Sequence, residues 1–89
     1  MGSCRVELTP EAVRSIAALP DKVRLAVLEA VGGSIAANPR RAGKPLTGEP
    51  RGLYSARRGD FRVIYLIDDD ERRIVVLRAH HRRDAYRRR

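Results

Sequence analysis

Polar and apolar residues alternate from Arg5 to Leu8, a period of two that predicts a short strand. The period then lengthens. Val13, Ile16 and Ala17 form one apolar stripe of a short helix. Thr9-Pro10-Glu11 opens it with a capping hydroxyl, a proline at the first helical position and an acid in the first turn. Leu19-Pro20 ends it. Asp21 caps a second helix, in which Val23, Val27, Ala30, Val31 and Ile35 share one face. Gly32-Gly33 interrupts that face at a cost of about 1 kcal/mol per glycine relative to alanine. The helix therefore kinks there or runs on to about Asn38, and Asn38-Pro39 closes it.

Residues 39–52 hold Pro39, Gly43, Pro45, Gly48, Pro50 and Gly52, with Arg40, Arg41 and Lys44 among them. This composition predicts an irregular loop. Three strands follow, from Leu53 to Arg57, Phe61 to Ile67 and Ile74 to Ala79. Arg58-Gly59-Asp60 turns between the first two. The acidic run Asp68 to Glu71, with Arg72, turns between the second and third as a solvated hairpin tip. It lacks the glycine and terminal glutamate of a calcium loop. Arg82 to Tyr86 is a short helical or irregular tail.

The predicted fold is α+β: a helical hairpin packed on one face of a small antiparallel sheet, in the order β-α-α-β-β-β. The first strand joins at an edge, and the uncovered face is free for a ligand. With 89 residues the chain suits a single domain over 1–89.

Charge changes this picture from a bare scaffold to one with a partner. Residues 1–50 carry seven Lys/Arg against five Asp/Glu (7 − 5 = +2), and residues 51–89 carry twelve against six (12 − 6 = +6), which gives the net +8. All twelve cations of the second half are arginine, whose planar fork matches phosphate. An anionic partner for that half is expected, nucleic acid or an acidic protein, rather than a basic face serving solubility alone. Cys4 is the only cysteine, so neither a disulfide framework nor a cysteine-based zinc site can be built from one chain. No apolar run approaches a membrane span of roughly 18 residues. No signal peptide is evident, and a reducing cytoplasm is expected.

The string G-L-Y-S-A-R-R-G-D-F-R-V-I-Y-L-I-D-D at 52–69, followed by V-L-R-A-H-H-R-R-D-A-Y-R at 76–87, resembles the RelE toxins of bacterial toxin–antitoxin modules. G-K-P-L at 43–46 and the helical hairpin match as well, so the resemblance runs from about Val6 to Arg87. It implies a type II toxin that enters the ribosomal A site, cuts mRNA there and is neutralised by a partner antitoxin. Its contact with DNA would be indirect, through the antitoxin complex. The related ParE branch shares the fold but poisons DNA gyrase, so fold alone does not choose between them.

Metal-free RNA cleavage needs a base for the 2′-hydroxyl, cations for the charge growing on phosphate, and an acid for the leaving 5′-oxygen. Arg62 sits mid-strand, faces away from Phe61 and Val63, and matches the family's strand arginine. Arg57 matches another family arginine and should lie near Arg62 across the hairpin. Tyr86 matches the family's C-terminal tyrosine, although a phenol's ordinary pKa of about 10 must be lowered by neighbouring cations before it serves as base. His81 opens the H-R-R-D-A-Y string, and His80 aligns with a catalytic arginine of some members. Histidine titrates near neutral pH, so either could be acid or base. Catalytic roles thus fall to Arg62, His81, Tyr86 and Arg57, and substrate contacts to Arg58, Lys44, His80, Arg82 and Arg83. No cofactor or metal is expected, because adjacent strand residues such as His80 and His81 point to opposite faces.

One departure matters. Some ribosome-dependent relatives carry a lysine pair on the strand before Arg57, where this chain has Leu53 and Ser55. Either His81 with Tyr86 takes the base role, or Lys44 reaches in from the loop, or the activity is weak. The rival readings are a gyrase inhibitor without nuclease chemistry and a non-catalytic basic RNA-binding module. All of them share an antitoxin partner, expected to be acidic and to fold as it binds.

Overall fold

A computed structural model describes residues 4–46 and 52–81. Strand β1 (Arg5–Leu8) leads into helices α1 (Pro10–Ala17) and α2 (Asp21–Ala30), and α2 runs on through a π-helical turn at Val31–Ile35. A four-residue helix α3 (Pro39–Ala42) and a two-residue strand β2 (Lys44–Pro45) come next. Then follow β3 (Leu53–Arg58), β4 (Phe61–Asp68) and β5 (Arg73–His81). The sheet order is β1-β5-β4-β3-β2. β2 to β5 are antiparallel, whereas β1 lies parallel to β5 at the edge.

At α1 the start signals act as the residues suggest, whereas Asp21 does not cap α2: Pro20 holds the cap position, Asp21 is the first helical residue, and no side chain caps the helix. Thr9 accepts from the Ala12 amide at 3.0 Å, and Pro10 occupies the first helical turn. The break expected at Gly32-Gly33 takes the form of the π-helical turn, which absorbs the weak spot without ending the helix.

Segment 39–52 departs from the expected loop. Asn38 leaves helical geometry (φ −153°, ψ 81°), and its side chain accepts from the Arg41 amide while Pro39 opens α3. Asn-Pro therefore stops one helix and starts another. The chain then runs alongside β3, where the Leu46 amide donates to the Leu53 carbonyl at 2.8 Å. Residues 47–51 lie outside the described part.

The core lies between the helices and one face of the sheet. Ala56, Phe61, Val63, Tyr65, Ile67, Ile74, Val76 and Ala79 meet Ala12, Ile16, Leu19, Val27, Val31 and Ile35. Each fully buried aliphatic side chain contributes about 1.5–3 kcal/mol. Tyr65 is wholly buried yet satisfied: its hydroxyl donates to the Pro39 carbonyl at 2.6 Å, and its ring stacks on Tyr54 at 5.9 Å.

β5 holds an irregularity that the sequence pattern does not announce. Ile64 pairs with Arg78, but Tyr65 pairs with Val76, so β5 has one residue more than β4 at this point. The bulge lets Val76 and Ala79, three apart, both face the core. Helix α1 meets the backbone groups there. Thr9 donates its hydroxyl proton to the Leu77 carbonyl, and the Ala79 amide donates to Ser15, each at 3.0 Å.

The acidic turn is more than a solvated tip. Asp69 accepts two bonds from Arg40, and Asp68 binds Arg73 at 3.0 Å. Among the described residues no helix is long and apolar enough to cross a membrane.

Candidate functional site

Alternation along β4 decides which residues can form a site. Phe61, Val63, Tyr65 and Ile67 point into the core, so Arg62, Ile64 and Leu66 belong to the opposite face, away from the helices of the described residues. The register then assembles the site across strands. Arg57 on β3 stands opposite Arg62 on β4, and Arg62 stands opposite His80 on β5. Directly opposed residues carry their Cβ atoms about 4.5–5.5 Å apart. Arg57 and Arg62 are exposed and His80 is half-buried. Two guanidinium groups and an imidazole therefore form one row on three adjacent strands.

The next row along the strands contains Lys44, Ser55, Ile64 and Arg78, again by register. Ile64 is only 6% exposed although it lies on this face and outside the main core. At the far end of the face, Arg73 binds Glu7 at 2.8 Å as well as Asp68, and Arg5 binds Glu7 at 3.3 Å. The two ends thus differ: Arg5 and Arg73 are neutralised by carboxylates, whereas none ion-pairs with Arg57, Arg62 or Lys44 among the described residues. A cleft of about 520 Å³ opens at this basic end, lined by Arg41, Lys44, Ser55, Arg57, Arg58 and Arg62 with Leu46 at its rim. Like charges around a concave surface focus the field on an anion.

Two expected residues sit elsewhere. Arg58 pairs with Phe61, on the helix side, and donates to the Ala42 carbonyl at 3.0 Å and to Ser34 at 3.3 Å. It lines the cleft wall, but its guanidinium ties β3 to the helical layer. His81 also pairs with Phe61, so His80 and not His81 stands in the Arg62 row. Arg82, Arg83 and Tyr86 lie outside the described residues.

Sequence reasoning reads Arg78 as one of the cations of this half without fixing its facing, and it missed that Lys44 belongs to a strand. A two-residue strand has no period to read, and the bulge that turns Arg78 outward has no residue signature here. Burial pushes the Tyr65 phenol up to about 12, against the opposing pull of nearby Arg58, so it remains a hydrogen-bond donor on the core side. Among the described residues no three His, Cys, Asp or Glu side chains cluster closely enough to hold a metal ion.

Comparison with known proteins agrees with this fold. The family described as "ParE toxin of type II toxin-antitoxin system, parDE" matches residues 6–86. The chain is 44% identical to Toxin RelE of Mycobacterium tuberculosis over 82 residues, covering 92% of this chain and 84% of that protein. It is 45% identical to Toxin RelG of the same organism over 83 residues, covering 93% and 95%. A chain in the crystal structure of the toxin–antitoxin complex RelBE2 from Mycobacterium tuberculosis superposes with a TM-score of 0.86 at 41% identity, covering 92% of this chain and 94% of that one. The chain therefore belongs to the ParE toxin family within the RelE/ParE superfamily, and is a RelE-type toxin of a type II toxin–antitoxin system.

Proposed function

We propose that this toxin is an endoribonuclease that cuts mRNA in the ribosomal A site and so blocks translation. The observation that carries this reading is the Arg57–Arg62–His80 row on the sheet face opposite the core. In-line attack by a 2′-oxygen on the adjacent phosphorus forms a cyclic phosphate and breaks the bond to the 5′-oxygen. Arg62 and Arg57 neutralise the charge that grows on the non-bridging oxygens. His80, beside Arg62, delivers a proton to the departing 5′-oxygen, and Tyr86 on the tail takes the proton of the 2′-hydroxyl. Lys44, Arg58, Arg82 and Arg83 add positive charge along the RNA backbone, and His81 sits next to the acid.

The partner is an antitoxin, as a relative has in the toxin–antitoxin complex RelBE2 of Mycobacterium tuberculosis, and the net charge of +8 invites an acidic segment in it. Inducing the wild type and Arg62→Ala in a bacterial host, and mapping mRNA 5′ ends, tests the reading. New ends inside coding regions, in phase with codons and absent in the variant, are expected. Toxicity without new ends, accompanied by DNA breaks, would replace it with gyrase inhibition.

A further inference from the structure

We propose that Lys44 and the strap carrying it form a second phosphate subsite, so that the cleft grips two successive phosphates of one RNA strand. The ligand class rests on the ribonuclease reading above, in which Lys44 only adds charge along the backbone; the geometry rests on the pairing of β2 with β3. Lys44 pairs with Ser55, and Arg57 follows Ser55 on the same face. Lys44 and Arg57 are therefore diagonal neighbours, about 7–8 Å apart. Successive phosphates of a polynucleotide are separated by one sugar and its ester linkages, a span of the same order. The residue between the two cations is Ser55, which is small enough to leave the floor open and carries a hydroxyl able to donate to a phosphate oxygen. Arg41 lines the same cleft.

The strap is held by packing at Gly43 and by hydrogen bonds before and after Lys44. A Cβ at position 43 would stand 2.5 Å from the Tyr65 hydroxyl and 2.7 Å from the Ser55 carbonyl oxygen. Gly43 is required here for space and not for its φ, which is an extended −137°. On one side of Lys44, Tyr65 holds the Pro39 carbonyl and Arg58 holds the Ala42 carbonyl. On the other, the Leu46 amide bonds to Leu53. The ammonium thus projects from a set position, the condition a two-point grip needs. On the same segment Arg40 is neutralised by Asp69, whereas no ion pair engages Lys44 or Arg41 among the described residues.

The test compares two uncleavable probes on the full chain at low salt: a 2′-deoxy trinucleotide with both phosphates charged, and the same trinucleotide with its second linkage a neutral methylphosphonate. Base content is equal, so the affinity ratio reports the second phosphate alone. The wild type is expected to favour the fully charged probe roughly tenfold, the size of one charge-assisted hydrogen bond. In Lys44→Gln the ratio falls to about one, while Lys44→Arg keeps it. Arg62→Gln weakens both probes and leaves the ratio standing. A wild-type ratio near one, or a Lys44→Gln ratio equal to the wild type's, overturns the proposal. The ribonuclease reading fails by a different measurement, the absence of new mRNA ends in induced cells, so the two failures are distinguishable.

Discussion

The two faces of the sheet are made from the same strands and behave as opposites. On the helix side, Val63, Tyr65, Ile74 and Val76 are wholly buried, and the one polar group, the Tyr65 hydroxyl, has its acceptor. Between Phe61 and Val63 the chain presents Arg62 to the opposite face, with Arg57 and His80 beside it. Each site side chain therefore has a core residue next to it in sequence, and Arg62 is paired with a neighbouring strand on both sides. Parity along β4 separates the two faces: odd positions are buried in the core, and Arg62, an even position at the basic end, is exposed on the opposite face.

Arg62→Ala is the strongest test of that separation. We expect a loss of roughly 10²–10³ in cleavage rate, the scale for removing one preorganised stabiliser of transition-state charge. Its melting temperature should stay near the wild type's, because Arg62 is exposed. Ile74→Ala on the other face should do the reverse. It empties a fully buried position and is expected to destabilise by about 2–5 kcal/mol in denaturant unfolding, with cleavage retained by the folded fraction. If either variant moves both quantities strongly, the faces are coupled and the comparison breaks. Gly43→Ala sharpens it, since position 43 lies where the core-side Tyr65 meets the strap bearing Lys44. Overpacking there should cost about 1–3 kcal/mol and should lower ligand affinity as well, because the strap has to lift.

Much of this arrangement was legible in the residues. The strong signals were the strand alternation, the Thr9-Pro10 start and the placing of Arg57 near Arg62 across the hairpin. Each depends on local chemistry or on a period of two, and the structure follows them, with strand ends shifted by one or two residues. What stayed hidden depends on partners distant in sequence. Lys44 joins the sheet because Gly43 fits under Tyr65, twenty-two residues on (65 − 43 = 22). His80 stands beside Arg62 because a bulge in β5, met by Thr9 and Ser15 of the helical layer, sets the register beyond it. A single extra residue there exchanges the facing of everything that follows, so counting from sequence could not decide between the two adjacent histidines.

The smallest expected effect is also the one that isolates the buried face most cleanly. Tyr65 is held neutral by burial, with its folded pKa raised from the ordinary value of 10.0 to about 12. A group whose folded pKa is raised favours the folded state fully below its unfolded pKa, and that stability is lost as pH rises through the folded value. Wild-type stability should therefore fall from about pH 10 towards about pH 12, as the unfolded chain ionises first. Tyr65→Phe lacks the ionisable group, so its melting temperature should decline less over the same window. Its lower starting stability at neutral pH reflects the Pro39 carbonyl left without its donor. The discriminating quantity is the difference between the two melting curves as a function of pH. A gap that narrows above pH 10 locates the titration at Tyr65. A gap constant to pH 12 would mean that the hydroxyl ionises as freely in the fold as in the unfolded chain, and that the helix-covered face is not closed around it.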